Sequence, residues 1–255
     1  MANALLRLLF ALSLLEVMVM GGWIDPDTDD SVKQAISYED NKVYDLVFSD
    51  EFERDGRSFV DGHDPRWTAI DKDDYTNAAL QYYTPDLVTT SGGMLNITTT
   101  AEKKTFRAFN DTTLKWYTTE KHYQSAMIQG WNKFCFTGGI LEISASLPGD
   151  PYVGGLWPAA WMMGNLARAT FTGTSDNIWP WSYDDCVEEN RPKQRFSACN
   201  KASHFGFKHS KGRGAAEIDV LEVMAGSGKL PLSKIHRPYL SSSFQVAPGM
   251  DTVWR

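Results

Sequence analysis

Glu217-Ile218-Asp219-Val220-Leu221-Glu222 places three carboxylates within six residues near the end of the chain. Side chains alternate with period two along a strand, so Glu217 and Asp219 share one face while Ala216 and Ile218 point the other way. Glu222 has the wrong parity for a plain strand. A β-bulge that absorbs one residue at Val220-Leu221 returns it to the acidic face. The opposite face then reads Ala216, Ile218, Val220/Leu221 and Val223, apolar throughout. The stretch is expected as a strand with its back in a core and three acids in front. Clustered like charge raises at least one carboxyl pKa, which strands avoid unless chemistry requires it. The alternative is a solvated strand face that is acidic by composition alone.

The surroundings favour chemistry. Gly212-Arg213-Gly214 leads into the strand, and the chain upstream is dense in Trp and Tyr. Glycosidic-bond chemistry needs one acid to protonate the leaving oxygen and one carboxylate to meet the oxocarbenium-like carbon. A retaining enzyme holds these two groups ~5–5.5 Å apart. Bulged, Glu217 and Glu222 behave as residues four apart, a backbone span of about 13 Å, which inward-leaning side chains would have to close. Residues 165–215 form a long irregular insertion just before the strand, and its Trp179 and Trp181 are candidates to wall a cleft and stack on sugar. Gln245, on the next strand, is a further candidate substrate contact. Asp50-Glu51 reads as a structural hydrogen-bonding corner, Tyr82-Tyr83 and Trp116-Tyr117 as packing, and His204 and His209 as surface histidines.

Length and composition set the frame. The chain has 255 residues, 42% hydrophobic and 22% charged, enough for one sizeable core. Net charge is −7 with a pI near 5.2, and no Lys/Arg run recommends a nucleic-acid partner. The N-terminal segment 1–23 is expected to be a signal peptide or signal anchor. Arg7 flanks an apolar run from Leu8 to Leu15, and Val19/Gly21 offers a small-residue cleavage site. As a membrane span the stretch is long enough, but Glu16 near its middle costs ~2–3 kcal/mol; a buried first helix is the other alternative. The sequons at Asn96 and Asn110 agree with passage through the secretory route, giving a secreted or membrane-anchored protein. Of three cysteines, Cys186 and Cys199 close a short polar loop and are the disulfide candidate, leaving Cys135 odd and expected buried. No cysteine or histidine spacing suggests a metal, and nothing calls for a cofactor. Asp25, Asp27 and Asp29 open like a calcium loop, but Asp30 and Ile36 stand where Gly and Glu are required.

After a polar connector over 24–43, the domain expected over 44–255 reads as short strands separated by turns. The candidates are Tyr44–Phe48, Met94–Thr100, Gln124–Gln129, Gly139–Leu147, Leu156–Met163, Ala216–Met224 and Ser242–Val246. Leu141, Ile143, Ala145 and Leu147 alternate cleanly with polar residues, and Leu95 and Ile97 with Asn96 and Thr98. No helical period follows residue 25. This argues an all-β sandwich.

The acidic hexapeptide is similar to the bulged active-site motif of glycoside hydrolase family 16, and Leu156-Trp157-Pro158-Ala159-Ala160-Trp161 to that family's cleft-lining strand. The chain resembles more closely the β-glucan synthesis-associated proteins best known from fungi. The similarity runs through Ile24-Asp25-Pro26-Asp27-Thr28, Leu46-Val47-Phe48-Ser49-Asp50-Glu51-Phe52, Trp131 to Gly139, Ser146 to Asp150, Gly212 to Ala215 and Phe244-Gln245-Val246-Ala247-Pro248. The resemblance implies a β-jelly-roll with a cleft on its concave sheet. It also implies Glu217 as nucleophile, Asp219 as assisting acid, Glu222 as acid/base, and Trp157 and Trp161 as contacts for glucose units of a β-glucan substrate. The implied reaction is retaining hydrolysis or transglycosylation of β-1,3- or β-1,6-glucan in cell-wall assembly. Because the chain stops at Arg255, the sandwich is expected to be incomplete at its C-terminus. Rival readings are a non-catalytic β-glucan-binding module and a scaffold subunit of glucan synthesis.

Overall fold

Among the described residues, short strands joined by turns and short 3-10 helices make up the secondary structure, an all-β arrangement. The computed structural model describes residues 22–110, 113–171, 178–180, 185–193, 198–199, 214–225 and 238–246. The chain divides into two units, residues 1–142 and 143–255.

In the first unit β1 (Gln34–Ile36) and β2 (Val43–Asp45) form an antiparallel hairpin. The 24–43 stretch, expected as a connector, therefore carries a strand, preceded by a 3-10 turn over Asp30–Val32 that the Asp29 side chain caps. Next come β3 (Thr68–Ala69), β4 (Lys72–Asp73) and β5 (Gln81–Tyr83). Two hairpins follow, β6 (Val88–Thr90) with β7 (Leu95–Ile97) and β8 (Lys104–Asn110) with β9 (Lys115–Lys121). Finally β10 (Tyr123–Ser125) joins β5 in parallel and β11 (Ile128–Gln129) joins β3. Phe59, Ala69, Val88 and Ala126 form the buried centre, with Phe52, Trp67, Leu87, Leu95 and Ile128 packed on it.

Beside this core Arg57 lies between two carboxylates. Its Nη1 and Nη2 donate to the two oxygens of Asp50 at 2.6 and 2.8 Å, and its Nε and Nη2 donate to Asp64 Oδ2 at 3.0 and 2.8 Å. Trp67 Nε1 completes the shell of Asp50 at 2.8 Å. Burial pushes the Asp50 pKa up, but Arg57 and Trp67 outweigh it and hold the carboxyl below the usual range. Asp50 is the structural corner the sequence suggested.

Two expectations fail here. No strand forms over 139–147, where Leu141, Ile143 and Leu147 are exposed. Alternation makes a one-sided strip, but a ladder also needs a neighbouring strand, and among the described residues none pairs with this one. Cys135 sits in the strandless approach to this segment and is exposed rather than buried.

The second unit is built on an antiparallel sheet of β12 (Ala159–Met163), β13 (Glu217–Met224) and β14 (Tyr239–Gln245), with β13 in the centre. Ala167, Ile178 and Ala215 form its small core, flanked by Met163, Leu166 and Trp179. Gly164 ends β12 so close to the start of β13 that a Cβ there would lie 2.9 Å from Ala215 Cα and Cβ. Its amide donates to Ala216 O at 2.7 Å, which ties the two strands at that point. Cys186 and Cys199 are bridged. The burial of β13 departs from the expectation at its start, whereas Val223 near its end is buried as expected. Glu217 and Asp219 are buried, while Ile218 on the apolar face is 42% exposed and its partner Phe244 on β14 is 65% exposed. Period two assigns residues to faces, but which face is covered depends on what packs there, and here the local core and Trp179 lie toward the acids.

Candidate active site

β13 carries the bulge that its parity required. Against β12, Ala160 pairs with Leu221 and Trp161 with Asp219, so Val220 has no counterpart. Against β14, Asp219 pairs with Ser243 and Glu222 with Ser241, so Val220 and Leu221 together face Ser242. The Ser242 hydroxyl donates to Val220 O at 2.8 Å, satisfying the carbonyl at the bulge. One inserted residue thus puts Glu222 on the same face as Glu217 and Asp219.

Asp219 is the hub. It lies between Glu217 and Glu222 on the face they share. Ser243 Oγ donates to Asp219 Oδ2 at 2.5 Å, and Gln245 Nε2 donates to the same oxygen at 2.9 Å and to Glu217 Oε1 at 3.3 Å. Burial raises the Asp219 pKa, but these bonds from Glu217, Ser243, Gln245 and Glu222 outweigh it and hold Asp219 below the usual range. Glu217 moves the other way. Burial first, then the hydrogen bond and charge of Asp219 and the charge of Glu222, push it up to about 8. Glu222 is raised by burial and by the Asp219 charge, with the Trp157 indole opposing. Proton affinity is therefore held low at Asp219 and raised at Glu217 and Glu222, although the three are neighbours on one strand.

The tryptophans divide. Trp161 lies directly across from Asp219 on β12, and Trp157 stands two residues before Ala159, the partner of Glu222. Trp157 is half exposed, as an aromatic platform beside the acids must be. Trp179 is held next to β13 because Ala215 N donates to Ile178 O at 2.9 Å. Its buried Nε1 has no hydrogen-bond partner of good geometry, yet the indole is near enough to Glu217 to oppose the rise in its pKa. Trp179 thus belongs to the acidic face rather than to a distant wall. Trp181, His204 and His209 lie outside the described residues. Gln245, expected as a substrate contact, lies on the acidic face, its amide donating to Glu217 and Asp219. Ser243 was missed by sequence reasoning, although it shares strand parity with Gln245 and that alone would have placed it here.

No group of three or more potential metal ligands occurs among the described residues. Asn96, in β7, donates through Nδ2 to Ser91 O, Ser91 Oγ and Met94 O, and Asn110 ends β8 with its Oδ1 accepting from Thr113 N. No helix among the described residues is long and apolar enough to cross a membrane; residues 1–21 lie outside them.

A family model described as β-glucan synthesis-associated protein SKN1/KRE6/Sbg1 matches residues 8–255. The chain belongs to this family. Among its relatives, the β-glucan synthesis-associated protein KRE6 of Saccharomyces cerevisiae is 39% identical over 237 residues, 88% of this chain and 30% of that protein. SKN1 of the same yeast is 40% identical over 241 residues, 88% of this chain and 28% of that protein. KRE6 of Candida albicans is 39% identical over 246 residues, 91% of this chain and 30% of that protein. This member of the SKN1/KRE6/Sbg1 family thus spans about 30% of the length of those relatives. No solved structure matches it.

Proposed function

We propose that the acidic face of β13 is the catalytic centre of a retaining β-glucan hydrolase or transglycosylase acting in glucan assembly. The observation that carries this reading is the bulge in β13, which gathers Glu217, Asp219 and Glu222 on one face, with a division of proton affinity there between Asp219, held low, and Glu217 and Glu222, both raised. A double displacement uses that division directly. Glu217 attacks the anomeric carbon, its proton passing to the neighbouring Asp219. The glycosidic C–O bond breaks, and the leaving oxygen takes the proton of Glu222. In the second step a water or glucan hydroxyl attacks the same carbon and gives its proton to the Glu222 carboxylate. The Glu217–sugar ester breaks, and the proton on Asp219 returns to Glu217. Water yields hydrolysis; a glucan hydroxyl yields transfer.

The half-exposed Trp157, with Trp161 opposite Asp219, supplies the apolar surface on which glucose rings stack. The relatives' role in β-glucan synthesis supports a β-glucan as substrate, and the jelly-roll sandwich is the all-β arrangement that would present this sheet as a cleft. Residues 1–23 would deliver the protein to the secretory route as signal peptide or anchor, with glycans at Asn96 and Asn110; a mobility shift on endoglycosidase treatment of the cell-made protein tests this. The catalytic reading is tested by incubating wild type and Glu217→Gln with β-1,3- and β-1,6-glucan and resolving the products. Turnover by wild type alone is expected. Equal product from both would remove Glu217 from the chemistry, and binding without product by wild type would leave a glucan-binding module.

A further inference from the structure

The strand after the acidic one does more than close the sheet. β14 presents Ser241, Ser243 and Gln245 to the acidic face, opposite Glu222, Asp219 and Glu217 respectively. β12 presents Ala159, Trp161 and Met163 on that side, none charged. The charges facing Asp219 from its own strand are those of Glu217 and Glu222. Among the elements packed against it, β14 therefore brings neutral donors where a cation would otherwise stand. The Ser243 hydroxyl at 2.5 Å and the Gln245 amide at 2.9 Å converge on one oxygen, Asp219 Oδ2. The second Gln245 amide hydrogen can reach Glu217 Oε1 at 3.3 Å.

Given the catalytic reading above, on which this inference rests, we propose that Ser243 and Gln245 are positioning residues. They clamp the Asp219 carboxylate beside Glu217, so that Asp219 stands as an anion ready to receive the proton of the attacking nucleophile. The two have different duties. Ser243 touches Asp219 alone and sets where Asp219 ionises. Gln245 touches both carboxyls, orienting the oxygen of Glu217 while it stabilises Asp219. Both act through the carboxyls they hold, and neither accepts a proton in the cycle.

The roles separate in titration. Asp219 keeps its charge in both the singly protonated and fully ionised states of the pair, and Ser243 stabilises both states equally. Removing the hydroxyl therefore raises the low-pH step and leaves the high-pH step in place. Removing the Gln245 amide raises both. Carboxyl-labelled Asp219 and Glu217 are followed by carbon NMR in the whole protein, without substrate, for wild type, S243A, S243T and Q245M. In S243A the Asp219 midpoint is expected to rise by roughly one pH unit with Glu217 unmoved. S243T, which keeps the hydroxyl, should match wild type, and Q245M should raise both midpoints. The acid limb of glucan turnover should follow the Asp219 midpoint. Were S243A to misfold, S243C, which keeps the volume with a much weaker donor, makes the same measurement. An Asp219 midpoint unchanged in these variants overturns the clamp, whatever happens to stability. Because the titration needs no turnover, a protein without glucan activity would sink the catalytic reading and still leave the clamp to be judged by its midpoints.

Discussion

Two groups of acids lie in different units of this chain, and their surroundings give them opposite characters. In the first unit Asp50 and Asp64 share Arg57, whose guanidinium donates to both, and Trp67 adds a further donor. Every charge there is met, so burial leaves Asp50 ionised. In the second unit Glu217, Asp219 and Glu222 answer one another and the neutral donors of β14, with no ion pair recorded for any of them among the described residues. Burial then raises two of the three, Glu217 to about 8. A cation makes a carboxylate structural; its replacement by other carboxyls makes a proton store.

The largest expected effect tests the second group. Glu217→Gln should lower glucan turnover by roughly 10^4-fold or more, since it removes the attacking oxygen, as steady-state product formation will register. Next comes the first group. Arg57→Met strands two buried carboxylates and should destabilise the protein by about 3–5 kcal/mol in denaturant unfolding. A loss under 1 kcal/mol would mean that the acids of the first unit need no cation, and the comparison would fail.

The third prediction sharpens the contrast through its sign. The Glu217 pKa is raised from 4.5 to about 8, so between these values the unfolded chain has released a proton that the folded chain keeps. Stability from this group is complete below about 4.5 and is lost as pH rises toward 8. Glu217→Gln should abolish that slope and stabilise the protein by about 2 kcal/mol at pH 7, even as it stops turnover. Thermal melts from pH 4 to 9 would show it. Asp50 behaves oppositely: its lowered pKa contributes stability above its unfolded value that is lost as pH falls below it. The smallest effect concerns how β13 is held. A Cβ at Gly164 would meet Ala215 at 2.9 Å, so Gly164→Ala should cost about 1–2 kcal/mol and slow turnover by misplacing Glu217; unchanged melting and rate would show that the strand entry can yield.

Much of the acidic face was readable before any coordinates. The odd parity of Glu222 demanded one inserted residue, and Val220-Leu221 supplies it. The Cys186–Cys199 bridge followed from a short loop between two cysteines. Elsewhere the same reasoning failed for identifiable reasons. Gly139–Leu147 alternates well but forms no strand, whereas Lys104–Asn110 and Lys115–Lys121 form the long hairpin of the first unit although charged and polar residues occupy both faces. In that hairpin pairing of the two strands, not burial, decides the structure. Ser243 escaped notice although parity with Gln245 puts it on the same face; which acid it serves depends on the ladder register.

What residue order determined alone was periodicity and chemistry: which side chains share a face, where the ladder must bulge, and that three acids stand together. These are local, because alternation is a property of the backbone of one strand. Which face of β13 is covered, which indole lies against Glu217, and which strand hands its donors to Asp219 were decided only by tertiary structure. Burial and hydrogen bonding across a sheet join residues far apart in the chain, and the pKa of a carboxyl is set by those neighbours rather than by its own sequence.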